Sequence, residues 1–596
     1  MLKRILAVSL ALNFSPAALA ASPITLLSEQ CIDYQVSLSQ AQESPTPLDA
    51  SVRLERELIG LFNLKDSVRF YRHYPLNAED KEALLQCQLH LADEFDRLAH
   101  EPWLQTQSQN WSQSDSPGLR QFGQLLTQQI AEQIDQQQKA KIHTAQASIA
   151  HGLKQKDLSL IIGQSQCRLT DEETDHADQT KQTFDNSIAS YLIHQQDESC
   201  KRQVWQAYQV RAKQKNQAAI SLIMATKQTI ALEHGADDYA SWALSHQRLT
   251  TPAQVKHFLD SQTQLAPAPW ALGAVLAKLS KVEVTPHSGE QLLDDIQAEL
   301  SLFGLEFETV NANMLRLWHK GRLLGDVFLD RPPKPQLAGS QRANPPLGKQ
   351  EPPPTEKAQT PTLKTPTLKT QALKEHKAQL SPLRQTVVGQ QFGQLTLTLP
   401  DQLNDYRSQE QLIAAVAEMV SRLLTGGRYY LNNTLGDGQA IASLWLNQYL
   451  SQQLLPELPS NSREAELKAF SKQLKVFRSK LALSAYQTFG NRLYRDLSQE
   501  FGASFGAPWP CADDALYSFT GVVTQGPLYY LTLWHQRLAE QILSDTQLEA
   551  KKVFELLLIN EQQQPLDEQL TAIFGSAQSV ATILERSQHD QPKPVH

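Results

Sequence analysis

Apolar residues recur at helical spacing along most of this chain. Between residues 200 and 233, Val204, Tyr208, Ala219, Leu222, Ile223 and Ile230 keep that period, and Gly235 supplies a stop. Residues 78–99 and the Gln-rich stretch 118–139 read the same way. Shorter helices are expected between 251 and 303, one opening at Thr251-Pro252, where proline suits the first turn. A further helix is expected over Ser408–Leu424. It carries an apolar stripe of Leu412, Ile413, Val416, Met419, Val420 and Leu423. A second row of small residues, Ala414, Ala417 and Ser421, predicts close packing against another backbone. Strand signals are few. Residues 314–318 and 323–329 flank Lys320-Gly321-Arg322 as a hairpin, and residues 394–399 alternate leucine with threonine. The pattern predicts a mainly α protein with a small β-sheet.

Residues 331–385 break the pattern. Positions 331–384 hold 11 prolines and 10 Lys or Arg against three acids, and TPTLK occurs twice in succession. Proline removes backbone donors and large apolar residues are scarce, so this stretch reads as a disordered, basic linker insertion.

Composition narrows the function classes. The 596 residues carry a net charge of −8 and are 41% hydrophobic. That is enough for sizeable cores, and an acidic surface does not attract nucleic acid or anionic lipid. No apolar run reaches the roughly 18 residues of a membrane span. Lys3 and Arg4, the apolar stretch Ile5–Leu12 and the small residues Ala18-Leu19-Ala20 form a signal-peptide pattern over residues 1–20. Export to a bacterial periplasm is expected. Of five cysteines, Cys31–Cys87 and Cys167–Cys200 are candidate disulfides, with buried free thiols as the alternative.

Four segments resemble the thimet oligopeptidase, neurolysin and oligopeptidase A family of zinc metallopeptidases. Residues 202–244 carry Arg202, Tyr208, Arg211, Asn216, Gly235, Tyr239 and Ala240 in the order of that family's long helix pair. Residues 321–335 are similar to its hairpin. Residues 410–424 sit where it has the HExGH helix, and residues 517–543 resemble its tyrosine-rich C-terminal loop and helix. The resemblance implies a two-lobed helical fold with a deep central channel. The implied divisions are an N-terminal helical lobe at 21–310, a hairpin at 311–330, the linker at 331–385 and a catalytic-like lobe at 386–596. It also implies that the strand at 394–399 borders the channel and pairs with extended peptide.

The departures from the family bear on function. The HExxH positions read Ala417-Glu418-Met419-Val420-Ser421, and the position of the third ligand is Ala440. Only Glu418, a remnant of the motif, survives. The metal-ligand positions therefore hold Ala417, Ser421 and Ala440, and no metal or other cofactor is expected. No two histidines lie closer than seven residues. Without a metal, water keeps a pKa near ~15.7 instead of ~7, and Glu418 has no activated water to deprotonate. The family's substrate-binding His and two Tyr correspond to Thr520, Gln525 and Thr532, while Tyr529 and Tyr530 remain as candidate substrate-binding residues. The expectation is a non-catalytic relative that binds peptides or a periplasmic protein partner. The alternatives are an active zinc oligopeptidase with displaced ligands, and a structural interaction protein acting through its basic linker.

Overall fold

Side-chain caps fix several helix starts where the sequence places them. Asn77 accepts from the Asp80 amide to open Ala78–Ala99, and Thr251 with Gln254 forms a reciprocal capping box on Pro252–Ser261. Gly235, at φ 75°, follows the end of Lys213–Glu233. The computed structural model describes residues 22–131, 136–154, 167, 184–331, 377–424, 426–433 and 436–589. The signal-peptide reading of residues 1–20 and most of the linker reading fall outside these residues.

One expected helix is two. The run over 200–233 divides into Glu198–Gln209 and Lys213–Glu233. No Gly or Pro marks the break. Arg211 sits in it, and its guanidinium donates to the carbonyls of Tyr208 (2.8 Å) and Leu153 (3.4 Å), adding side-chain bonds at the helix end.

The sheet has the order β1-β2-β3-β5-β4, with β1 Leu305–Asn311, β2 Met314–His319, β3 Arg322–Asp330, β4 Gln379–Arg384 and β5 Gly393–Thr398. All neighbours are antiparallel except β3 and β5. The β2–β3 hairpin turns through Lys320 (φ 48°) and Gly321 (φ 75°), the left-handed pair such a turn requires. Gly325 lies opposite Gly393, and a Cβ on either would meet Leu423 at 2.6 Å. This glycine pair lets the Tyr406–Leu424 helix press directly onto the sheet.

Two expectations are corrected here. The linker ends earlier than its composition indicates, because residues 379–384 form β4. Pro382 is tolerated in that strand because β4 lies at the sheet edge. The strand at 394–399, observed as β5, is hydrogen-bonded on both sides, so it has no free edge to offer a peptide.

The buried apolar residues form two cores. The smaller takes residues from Ile24 to Leu126 and adds Val387, Tyr429, Tyr430 and Leu431. The larger runs from Ile142 to Leu584. No helix among the described residues is long and apolar enough to cross a membrane. The cysteines pair as Cys31–Cys87 and Cys167–Cys200, and Cys511 is free and exposed. Cys31–Cys87 joins the Pro23–Ile32 helix to Ala78–Ala99 across 56 residues. Replacing both cysteines by serine is expected to remove about 2–4 kcal/mol from the smaller core. Urea unfolding followed by the Trp103 and Trp111 fluorescence tests this, and an unchanged midpoint would contradict it.

Candidate functional site

The row of small residues does what its spacing predicts. Ala417 is fully buried, and Ser421 meets the Asp437–Leu454 helix, where its hydroxyl donates to the Gln439 carbonyl at 3.3 Å. Close approach of the two helices accounts for alanine and serine at these places. Ala440 lies on the second helix and is half-buried. Of the three positions to which the resemblance assigns ligands, two are methyl groups and the third is a hydroxyl already engaged.

Zinc, which the resemblance implies, can be tested against the donors present. No group of three His, Cys, Asp or Glu that could hold a metal ion occurs among the described residues. The residues do not fit the metal, and no chemical step is routed through it.

Glu418 is placed away from the helix pair. Its carboxylate accepts from Arg422 Nε at 2.9 Å and pairs with Nη2 at 2.8 Å, on a side chain 42% exposed. The Arg422 charge in turn reaches Asp66 and Tyr430, at the joint between the two cores. Glu418 is therefore one end of an ion pair with Arg422 on its own helix.

A cavity of about 630 Å3 lies beside the helix pair, and Ser421 is on its wall. Glu418, Tyr529 and Tyr530 are not. On that wall, His535 Nε2 and Asp437 Oδ1 are hydrogen-bonded at 2.7 Å. Asp437 stands in the first turn of its helix, where the exposed amides favour a negative charge. His535 comes from the Leu531–Asp545 helix. Around this pair the wall is rich in amides, including Gln121, Asn432, Gln439, Gln564 and Gln569. Asn432 donates to the Gly118 carbonyl at 2.8 Å, while its own buried Oδ1 has no partner among the described residues. Asn433 holds the adjoining loop by accepting from Gly427 N and donating to the carbonyls of Gly427 and Thr386. Arg248, ion-paired with Asp567, closes one rim.

Amides both donate and accept, so this wall offers the two groups that a peptide main chain presents. His535 and Asp437 add one hydrogen-bonded imidazole–carboxylate pair. The cavity suits recognition of a polar, neutral backbone.

The two candidate tyrosines part company. Tyr530 is 1% exposed, and its hydroxyl has no hydrogen-bond partner among the described residues. Burial, with the nearby Asp437 charge, pushes its pKa far up, so it stays a neutral phenol. Tyr529 is half-buried on the other side of the turn, 5.6 Å from the Lys475 ammonium and packed on Phe519. They do not form one substrate platform, because consecutive residues of the Gly526–Tyr530 turn face different neighbours.

Sequence reasoning missed the His535–Asp437 pair. The two residues are 98 positions apart, and no local spacing links them. Asp437 opening a helix was the one visible signal.

No family model matches the chain, and no curated protein does. Among solved structures, the chain is similar to the Pyrococcus furiosus carboxypeptidase in its apo-Mg form. The identity is 10% and the TM-score 0.41, over 92% of this chain and 99% of that chain. A likeness at this level assigns no activity.

Proposed function

We propose that this protein is an exported, non-catalytic relative of the zinc oligopeptidases that binds short peptides in the cavity between the Asp437–Leu454 and Leu531–Asp545 helices. One observation carries the reading: a cavity lined by both amide and leucine side chains, with a His535–Asp437 pair on its wall, stands beside the helix positions where the resembled family keeps its metal, and those positions hold Ala417, Ser421 and Ala440. Recognition groups are present where ligands for a catalytic metal are not. The signal-peptide pattern and the two disulfides support an oxidising periplasm as the compartment.

Gly438 offers a direct test. It lines the cavity, and a Cβ added there would meet only Gln569 Oε1, at 3.8 Å, an ordinary contact. Gly438→Phe is expected to plug the cavity without moving the backbone. Binding of fluorescent hexapeptides, followed by anisotropy, is expected to weaken about tenfold or more in this variant while its Tm stays within a few degrees of the parent's. Stoichiometric zinc with chelator-sensitive peptide hydrolysis would instead restore the enzyme reading. A folded protein that binds no peptide would favour a scaffold acting through its basic linker.

A further inference from the structure

His319 ends strand β2 and is 3% exposed, and its Nε2 has no hydrogen-bond partner among the described residues. A protonated imidazole donates from both nitrogens, so a buried ring nitrogen without an acceptor favours the neutral form. The ring lies against Gly304, where a Cβ would stand 3.8 Å from both Cδ2 and Nε2. On each side of that contact the chain is fastened to the same segment. Phe303 stacks on Phe554 with ring centroids 4.5 Å apart, and the Lys320 ammonium reaches Glu555 at 3.7 Å.

That segment is an irregular one. Glu555–Ile559 is a turn of π-helix, and it ends at Asn560, which is left-handed at φ 37°. Such turns are rare, and many of them stand at functional sites. The Asn560 amide donates to the Glu555 carbonyl at 3.0 Å, and its side chain exchanges two hydrogen bonds with the Gln564 backbone. Leu557, Leu558 and Asn560 line the cavity. His319 is not on the cavity wall, but the contacts flanking it lead to a segment that is.

The charges acting on His319 are few. Burial holds it below the usual imidazole value, Lys320 and Arg322 act in the same direction, and Glu561 and Glu555 oppose them. Residues 303–305, beside the ring, carry no charge. Glu555 already serves Lys320 and, at 3.3 Å, Lys552. Glu561 is exposed and has no ion pair among the described residues, so it is the acid open to an imidazolium. An arrangement that keeps this histidine neutral loses stability as pH falls through the lowered value, because any arrangement that frees the ring binds the proton more readily.

We infer that His319 is an acid-sensitive latch on the peptide cavity: its protonation draws the ring off Gly304 toward Glu561, loosens residues 554–561 and weakens a peptide held against Leu557, Leu558 and Asn560. This rests on the peptide-binding reading and adds regulation to it. The wall is closed at neutral pH and opens in acid.

Amide exchange and peptide anisotropy at about pH 7.5 and about pH 5 test the latch. In the parent, exchange of residues 554–561, corrected for its intrinsic pH dependence, is expected to rise in acid. Hexapeptide affinity is expected to fall about tenfold, the factor that one pKa unit between the latched and freed ring produces. His319→Phe keeps a ring beside Gly304 and takes up no proton, and His319→Gln is a smaller neutral replacement. Both should flatten the two readouts, and the exchange measurement on the parent needs no variant. Exchange at 554–561 that does not rise in acid overturns the latch. So does a pH dependence of binding that persists in His319→Phe and vanishes in His535→Gln, which would make the cavity's own imidazole the sensor. Equal affinity at both pH values overturns it and leaves peptide binding standing. If no peptide binds at either pH, the peptide-binding reading fails, and this inference fails with it.

Discussion

Replacing Glu500 and Asp260 together by their amides is expected to destabilise the fold by about 3–5 kcal/mol, and adding Lys480→Met is expected to recover most of that loss. The Lys480 side chain is 2% exposed. Its ammonium lies 2.6 Å from Glu500 and 3.4 Å from Asp260. Asp260 also accepts from the Tyr494 hydroxyl at 3.0 Å, so the network ties the helices Pro252–Ser261, Arg463–Ala485 and Leu497–Phe505 together. The amides keep the shapes but remove both charges, leaving an ammonium buried without compensation. Methionine then replaces that stranded charge with an apolar chain of similar length. Urea unfolding of the parent, the double and the triple variant measures the coupling. If the triple variant is no more stable than the double, the network contributes through packing rather than charge.

The second large effect is a pH dependence at the joint between the cores. Glu55 is fully buried on the Pro47–Tyr71 helix, and its Oε1 accepts from the Tyr430 amide at 2.5 Å. Burial raises its pKa from 4.5 to about 8, against the lowering effect of that hydrogen bond. The folded protein therefore holds a proton that the unfolded chain releases. The associated stability is complete below about 4.5, declines as pH rises and is lost on passing about 8. The difference across this window is on the order of 4 kcal/mol. Glu55→Gln keeps an acceptor for Tyr430 and has no proton to lose. Its Tm is expected to change less between pH 5 and about 9 than the parent's, with the larger benefit at the alkaline end. Parallel melting curves for the two proteins across that range would refute the assignment. Because Tyr429 and Tyr430 belong to the smaller core, and Ser51 hydrogen-bonds the Tyr429 hydroxyl at 2.9 Å, the alkaline loss is expected to loosen one core from the other.

Local chemistry was well marked along the chain. The cap at Thr251, the stop at Gly235 and the turn at Lys320-Gly321 all stand where residue type places them, because each depends on backbone preferences within a few positions. The Ala417 and Ser421 row correctly announced a close helix partner. Strand β4 was hidden. Its residues 379–384 include a proline and little alternation, and they are extended because β5 supplies hydrogen bonds. The same pairing takes the edge of β5 that a peptide was expected to use.

By itself the sequence settled most helix starts and stops, the β2–β3 turn and the inert residue types at 417, 421 and 440, since each is a property of one residue or one turn. Tertiary structure decided where Glu418 turns, that His535 meets Asp437, and that Tyr529 and Tyr530 face apart. Those outcomes depend on charges and hydrogen-bonding groups brought together from positions up to hundreds of residues apart. Coulomb energy and desolvation follow distance in space, which spacing along the chain does not record.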